Sequence, residues 1–162
     1  MLQETTERAL KYIAGCSDAG KLKQLAQNAK AHGAADVEQA ALLRLYAMMP
    51  AAEPGTLEHD VWQSVYALEG ALKTERGKTT LLSRTRQKLK KDGEVVTVAD
   101  LVTGKARAGF QMLLDRHMPE LAFEAVALRH PQTFTPEILA AAEKRLAEAG
   151  IDLAGISSAK PE

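Results

Sequence analysis

The chain has 162 residues and balanced charge, 21 Lys and Arg against 21 Asp and Glu, which excludes a uniformly basic nucleic-acid coat and an acidic disordered tail. This length suits one domain, or one domain with a small appendage, and a chain of this size buries about 70% of its unfolded surface. Its 28 Ala and 21 Leu far outnumber 8 Val and 4 Ile, so helix formers dominate the β-branched residues that build sheets.

The expectation is an all-α protein, a compact bundle of seven to eight helices. Residues 4–14 make a first short helix with Ala9, Leu10 and Ile13 inward; Gly15 stops it, and Ser17-Asp18 offers a new N-cap. Leu22, Leu25, Ala26 and Ala29 fall at helical spacing before Gly33, and Val37, Ala40, Ala41, Leu45 and Met48 repeat the pattern up to Pro50. Residues 18–49 therefore read as an antiparallel helical hairpin. Two prolines and a glycine between Pro50 and Gly55 cannot continue a helix. The expected organisation is an N-terminal hairpin subdomain over 1–50, a linker over 51–56, a helical domain over 57–150 and a tail over 151–162.

Thr56 caps a long helix with Leu57, Val61, Val65, Leu68 and Leu72 on its core stripe, flanked by Trp62 and Tyr66 and ended by Gly77. Thr79 or Thr80 starts the next helix, which runs to about Lys91. Asp92-Gly93 then breaks the chain, Val95-Val96 is the one segment expected to be extended, and Thr97 with Asp100 resembles a capping box for a short helix through Val102. After Thr103-Gly104 a helix from about 106 to 117 carries Phe110, Leu113 and Leu114. Pro119 suits the first turn of the following helix, which ends at His130-Pro131. Thr135, Pro136 and Gly150 supply the cap, first residue and stop of the last one.

Several functions lack their residues. The N-terminal segment carries acid where a signal peptide needs basic residues, and no apolar run is long enough to span a bilayer, so a cytoplasmic protein without membrane attachment is expected. Cys16 is the only cysteine, which allows no internal disulfide and makes a small buried or half-exposed apolar side chain a more natural reading than a catalytic thiol. Gly77-Lys78-Thr79 lacks the earlier glycine and the strand of a phosphate-binding loop. His32, His59, His117 and His130 share no metal-binding spacing and are expected at the surface or at helix ends. With no nucleophile elbow and no acid/base pair in register, the chain is expected to be non-enzymatic, with no cofactor and no metal.

The strongest functional signal is an uneven distribution of charge. Residues 73–107 hold ten Lys and Arg against four acids, a segment of +6 balanced by −6 elsewhere, and Arg76 to Lys91 holds seven cations and no acid. At 100° per residue, Leu81, Leu82, Thr85 and Leu89 share one arc as the buried stripe, and Arg84, Arg86, Lys88, Lys90 and Lys91 fan over the remainder. Like charges at Arg84–Lys88 and Arg86–Lys90 repel by about 0.2–0.5 kcal/mol each, a cost that an external polyanion would remove. Acids elsewhere in the fold, such as Glu58, Asp60, Glu120 or Glu124, could instead neutralise the face from within. Thr97–Val102, the Thr-Gly turn and the helix after Lys105 have the proportions of a helix-turn-helix.

The expected function is binding of nucleic acid, double-stranded DNA before single strands because the segment lacks aromatic side chains. The candidate contacts are Lys78, Thr80, Arg84, Arg86, Lys88, Lys90, Lys91, Lys105 and Arg107, whose guanidinium, ammonium and hydroxyl groups suit phosphate oxygens. The alternative is a helical adaptor or regulatory subunit that meets an acidic protein partner, and a homodimer is compatible with either.

Overall fold

The computed structural model describes residues 2–105 and 107–157. Among them all regular structure is helical, with no strand: nine α-helices and one 3-10 turn. The chain divides into two compact units on either side of Ala51.

The first unit contains α1 (Leu2–Gly15), α2 (Ala19–Ala31) and α3 (Ala35–Met48). Asp18 caps α2 by accepting the Lys21 amide at 3.1 Å, and Gly33 takes the left-handed conformation, φ 70°, that lets the chain reverse into α3. The spacing of Leu22, Ala26 and Ala29 against Val37, Ala41 and Leu45 then closes the hairpin, with Ile13 of α1 and Cys16 completing the core. Cys16 is buried, and its carbonyl accepts Arg44 Nε at 3.0 Å, so this residue ties a turn and fills space.

The second unit is built around α4 (Leu57–Arg76) and a short buried helix, α7 (Phe123–Arg129). Thr56 caps α4 through the His59 amide, and Gly77 ends it in the left-handed region. All residues from Phe123 to Ala127 are buried. A helix whose residues are apolar apart from Glu124 and the terminal Arg129 belongs inside, and the alanines at 125 and 127 leave room for neighbours. α8 (Pro136–Glu148) and α9 (Leu153–Ser157) cover it: Ile156 packs with Ala125 and Leu146. Residues 153–157, expected as part of a tail, are thus a helix anchored by one isoleucine; residues 158–162 lie outside the described part.

The largest departure from expectation is α5 (Ser83–Thr103). Its helix starts at Ser83 and not at Thr79 or Thr80, and Val95-Val96 is helical. Gly93 alone absorbs the break, with φ 85° and ψ 174°, and the helix resumes at once. The period explains why: Thr97, Val98 and Val102 are buried, while Val95 and Val96 are exposed, a helical stripe that overrides local β propensity. In a straight helix residues 88 and 100 would lie about 18 Å apart, yet Lys88 Nζ reaches Asp100 Oδ2 at 2.6 Å. α5 is therefore a bent helical pair, with arms over 83–92 and 94–103.

α6 (Ala108–Asp115) starts after Arg107 and ends two residues short of the end of the helix expected over 106–117, of which residue 106 lies outside the described residues. It ends in a reversal in which the Met118 amide donates to Leu113 O and the His117 amide to Leu114 O, with His117 at φ 57°. Pro119 disfavours helical geometry at Met118, so the chain turns before it and enters the 3-10 turn Pro119–Leu121.

Candidate functional site

The candidate site is the cation-rich stretch from Lys78 to Arg107, and the protein's own carboxylates divide its charges into two classes. Trp62, Tyr66 and Glu69 lie at i, i+4 and i+7 on one face of α4. Arg86 docks on that face: Nε donates to Glu69 Oε2 at 2.7 Å and Nη2 to Oε1 at 2.6 Å. Its guanidinium carbon sits 5.3 Å from the Trp62 ring centroid and 5.7 Å from that of Tyr66. Glu69 also accepts the Leu82 amide at 2.8 Å, placing a carboxylate at the N-terminus of α5, where the helix dipole favours it. The hydrogen bond to Glu69 raises the Arg86 pKa. Arg86, expected on the solvent face, is thus the bolt that holds α5 to α4.

Lys88 is the second cation already engaged. Asp100 and Asp92 hold its ammonium at 2.6 and 3.1 Å and raise its pKa, Asp100 contributing more. Arg107 leans toward Glu148, 3.8 Å away. Thr80 turns its hydroxyl to the Lys78 carbonyl. The buried stripe is also narrower than the sequence suggests: Leu89 is buried, Leu82 and Thr85 are half-buried, and Leu81 is 53% exposed.

The remaining candidates, Lys78, Arg84, Lys90, Lys91 and Lys105, are exposed. None of these five forms an ion pair among the described residues. Arg84, Lys88 and Lys91 follow one another at i, i+4 and i+7 along the first arm of α5, with Lys90 on the flank. That arm presents a cationic stripe whose middle residue is neutralised and whose ends are not.

Two of the four acids that could have neutralised the face, Asp60 and Glu124, work elsewhere. Asp60 is buried and accepts His130 Nε2 at 2.6 Å, with Arg129 Nε 3.7 Å away; this joins the end of α7 to the start of α4. Burial lowers the Arg129 pKa, against the pull of Asp60. Glu124 is buried beside Arg145, Nη1 to Oε1 2.9 Å, and burial raises its pKa despite that partner. Arg145 also donates to the carbonyls of Leu101 and Gly104, placing a cation at the C-terminal end of α5 and fixing the turn before α6. His59, in the first turn of α4, and His130, the C-cap of α7, stand at helix ends as expected, but His59 is buried and His130 serves Asp60.

Glu69 is the residue that sequence reasoning missed. Its signal was an acid on the same helical face as Trp62 and Tyr66, the surroundings that suit a stacked Arg. Comparison with known protein families, characterised proteins and solved structures yields no match to this chain.

Proposed function

We propose that this protein binds double-stranded nucleic acid, DNA foremost, through its phosphate backbone and without catalysing a reaction on it. The observation that carries this reading is the set of exposed cations without ion pairs, Arg84, Lys90 and Lys91 on the first arm of α5, together with Lys78 before it and Lys105 at the turn that leads into α6. Desolvating a paired cation such as Arg86 would cost the fold a contact; these five have none to lose. At the start of α6 the polar groups are already engaged, Gln111 with Asp115 and Arg107 with Glu148, which leaves few side chains there to read bases. Binding is therefore driven by phosphate and tolerant of sequence.

Five phosphate contacts imply a slope of about −4.5 in log K against log salt, an affinity loss of about 500-fold between 50 and 200 mM. Fluorescence anisotropy with a labelled duplex tests this; absence of binding, or binding indifferent to salt, removes the reading.

A second reading, an acidic protein partner, is favoured by one observation. Val95 and Val96 are exposed apolar side chains on the same helical pair as the cations, with Leu81 exposed just before it, and a mixed apolar and basic surface suits an acidic amphipathic segment. A preparation with a stoichiometric protein partner and no excess absorbance at 260 nm would favour it over nucleic acid.

A further inference from the structure

The second unit contains a cavity of about 300 Å³ between α4, the start of α5, its second arm and α6. Leu82, the N-cap of α5, and Thr85 from its first arm line it together with Leu101 from the second, although in a straight helix residues 85 and 101 would be about 24 Å apart; the bend at Gly93 brings the two arms to one cavity. Gly109 of α6 faces Leu68 of α4, where a Cβ would stand in ordinary van der Waals contact at 3.4 Å. The walls are apolar apart from Arg76, Thr85 and Glu124. Glu124 is engaged by Arg145, so its charge is answered within the protein. Arg76 is different: it is exposed, and it forms no ion pair among the described residues.

A cavity about half this size, lined by Leu, Ile and Phe, accepts a benzene ring, so this one has room for roughly ten to twelve non-hydrogen atoms. Its single uncompensated wall charge is positive. We infer that the cavity is a binding site for an amphipathic carboxylate of medium chain length, the apolar chain between Leu68, Leu101 and Phe110 and the carboxylate on the Arg76 guanidinium. The apolar walls provide burial for the chain, and the Arg76 fork matches a carboxylate. Thr85 is a polar residue lining the cavity from α5. This site stands apart from the phosphate-binding stripe and does not depend on it.

The test is titration of the full chain with decanoate, followed by amide NMR shifts and calorimetry, with decanol as the uncharged control. Saturable decanoate binding is expected, with shifts centred on Leu82, Leu101 and Gly109. Arg76→Gln should weaken decanoate about tenfold, the loss of one charge-assisted hydrogen bond, and leave decanol unchanged. Ala108→Trp, a bulky side chain at an exposed position of the cavity rim, should abolish both. Unsaturable decanoate binding, shifts centred elsewhere, or an Arg76→Gln variant that binds decanoate as the wild type does would overturn the inference, and because Arg76 is a surface residue that outcome is readable even if Ala108→Trp fails to fold.

Discussion

Arg84 and Arg86 are two residues apart on one helix and chemically identical, yet the same substitution should destabilise the fold at Arg86 and leave it nearly unchanged at Arg84. Arg86→Gln leaves Glu69, 8% exposed, with the Leu82 amide as its remaining partner. Breaking a fully buried pair costs about 3–5 kcal/mol; the Arg86 side chain is 31% exposed, so solvent screens part of this and about 2 kcal/mol remains. Loss of stacking on Trp62 and Tyr66 adds about 0.5–1 kcal/mol. The sum is about 2.5 kcal/mol, or a fall in Tm of about 5–10 °C for a chain of this size. Arg84→Gln touches no partner and should change stability by less than about 0.5 kcal/mol. Urea denaturation is the assay, followed by far-ultraviolet circular dichroism and by the fluorescence of Trp62, the only tryptophan. Equal stability of the two variants, or a larger loss from Arg84→Gln, would refute the division of the basic helix into a docking residue and solvent residues.

Two further outcomes follow from the same framework. Gly93→Ala meets no steric obstacle, since nothing lies within 4 Å of its new Cβ, but it forces an L residue into a backbone conformation open essentially to glycine; a loss of about 1–3 kcal/mol in urea denaturation is expected, and a loss below about 0.5 kcal/mol would mean that the helical pair straightens at little cost. Burial raises the Glu124 pKa above its ordinary value of 4.5, so the native state holds this proton more tightly than the unfolded state. The associated stability is fully present below pH 4.5 and is lost as pH rises through the raised native pKa. Denaturation of the wild type and of Glu124→Gln as a function of pH should show the wild type losing ground relative to the variant across that window, and a gain would show that Arg145 outweighs burial.

Legibility in the sequence followed the range of the interaction. The hairpin of α2 and α3 and the limits of α8 were readable because Asp18, Gly33, Thr135, Pro136 and Gly150 act within a few residues of where they stand. Val95 and Val96 misled because β propensity is local, whereas the burial of Val98 and Val102 that holds them in a helix is tertiary. The exposed cations were readable as a cluster, but their division was not. Glu69 and Arg86 are joined across 17 residues, and Asp60 and His130 across 70. Glu124 stands alone in the apolar run from Leu121 to Leu128, and a single acid in such a run signals a distant basic partner without naming it.

The most direct measurement is the salt dependence of duplex binding in the wild type and in the triple variant Arg84→Gln, Lys90→Gln, Lys91→Gln. A slope of about −4.5 should fall to about −1.8 as three of five contacts are lost, with stability unchanged. Slopes that coincide, or a wild type that binds no duplex at 50 mM salt, would contradict phosphate recognition by the first arm of α5.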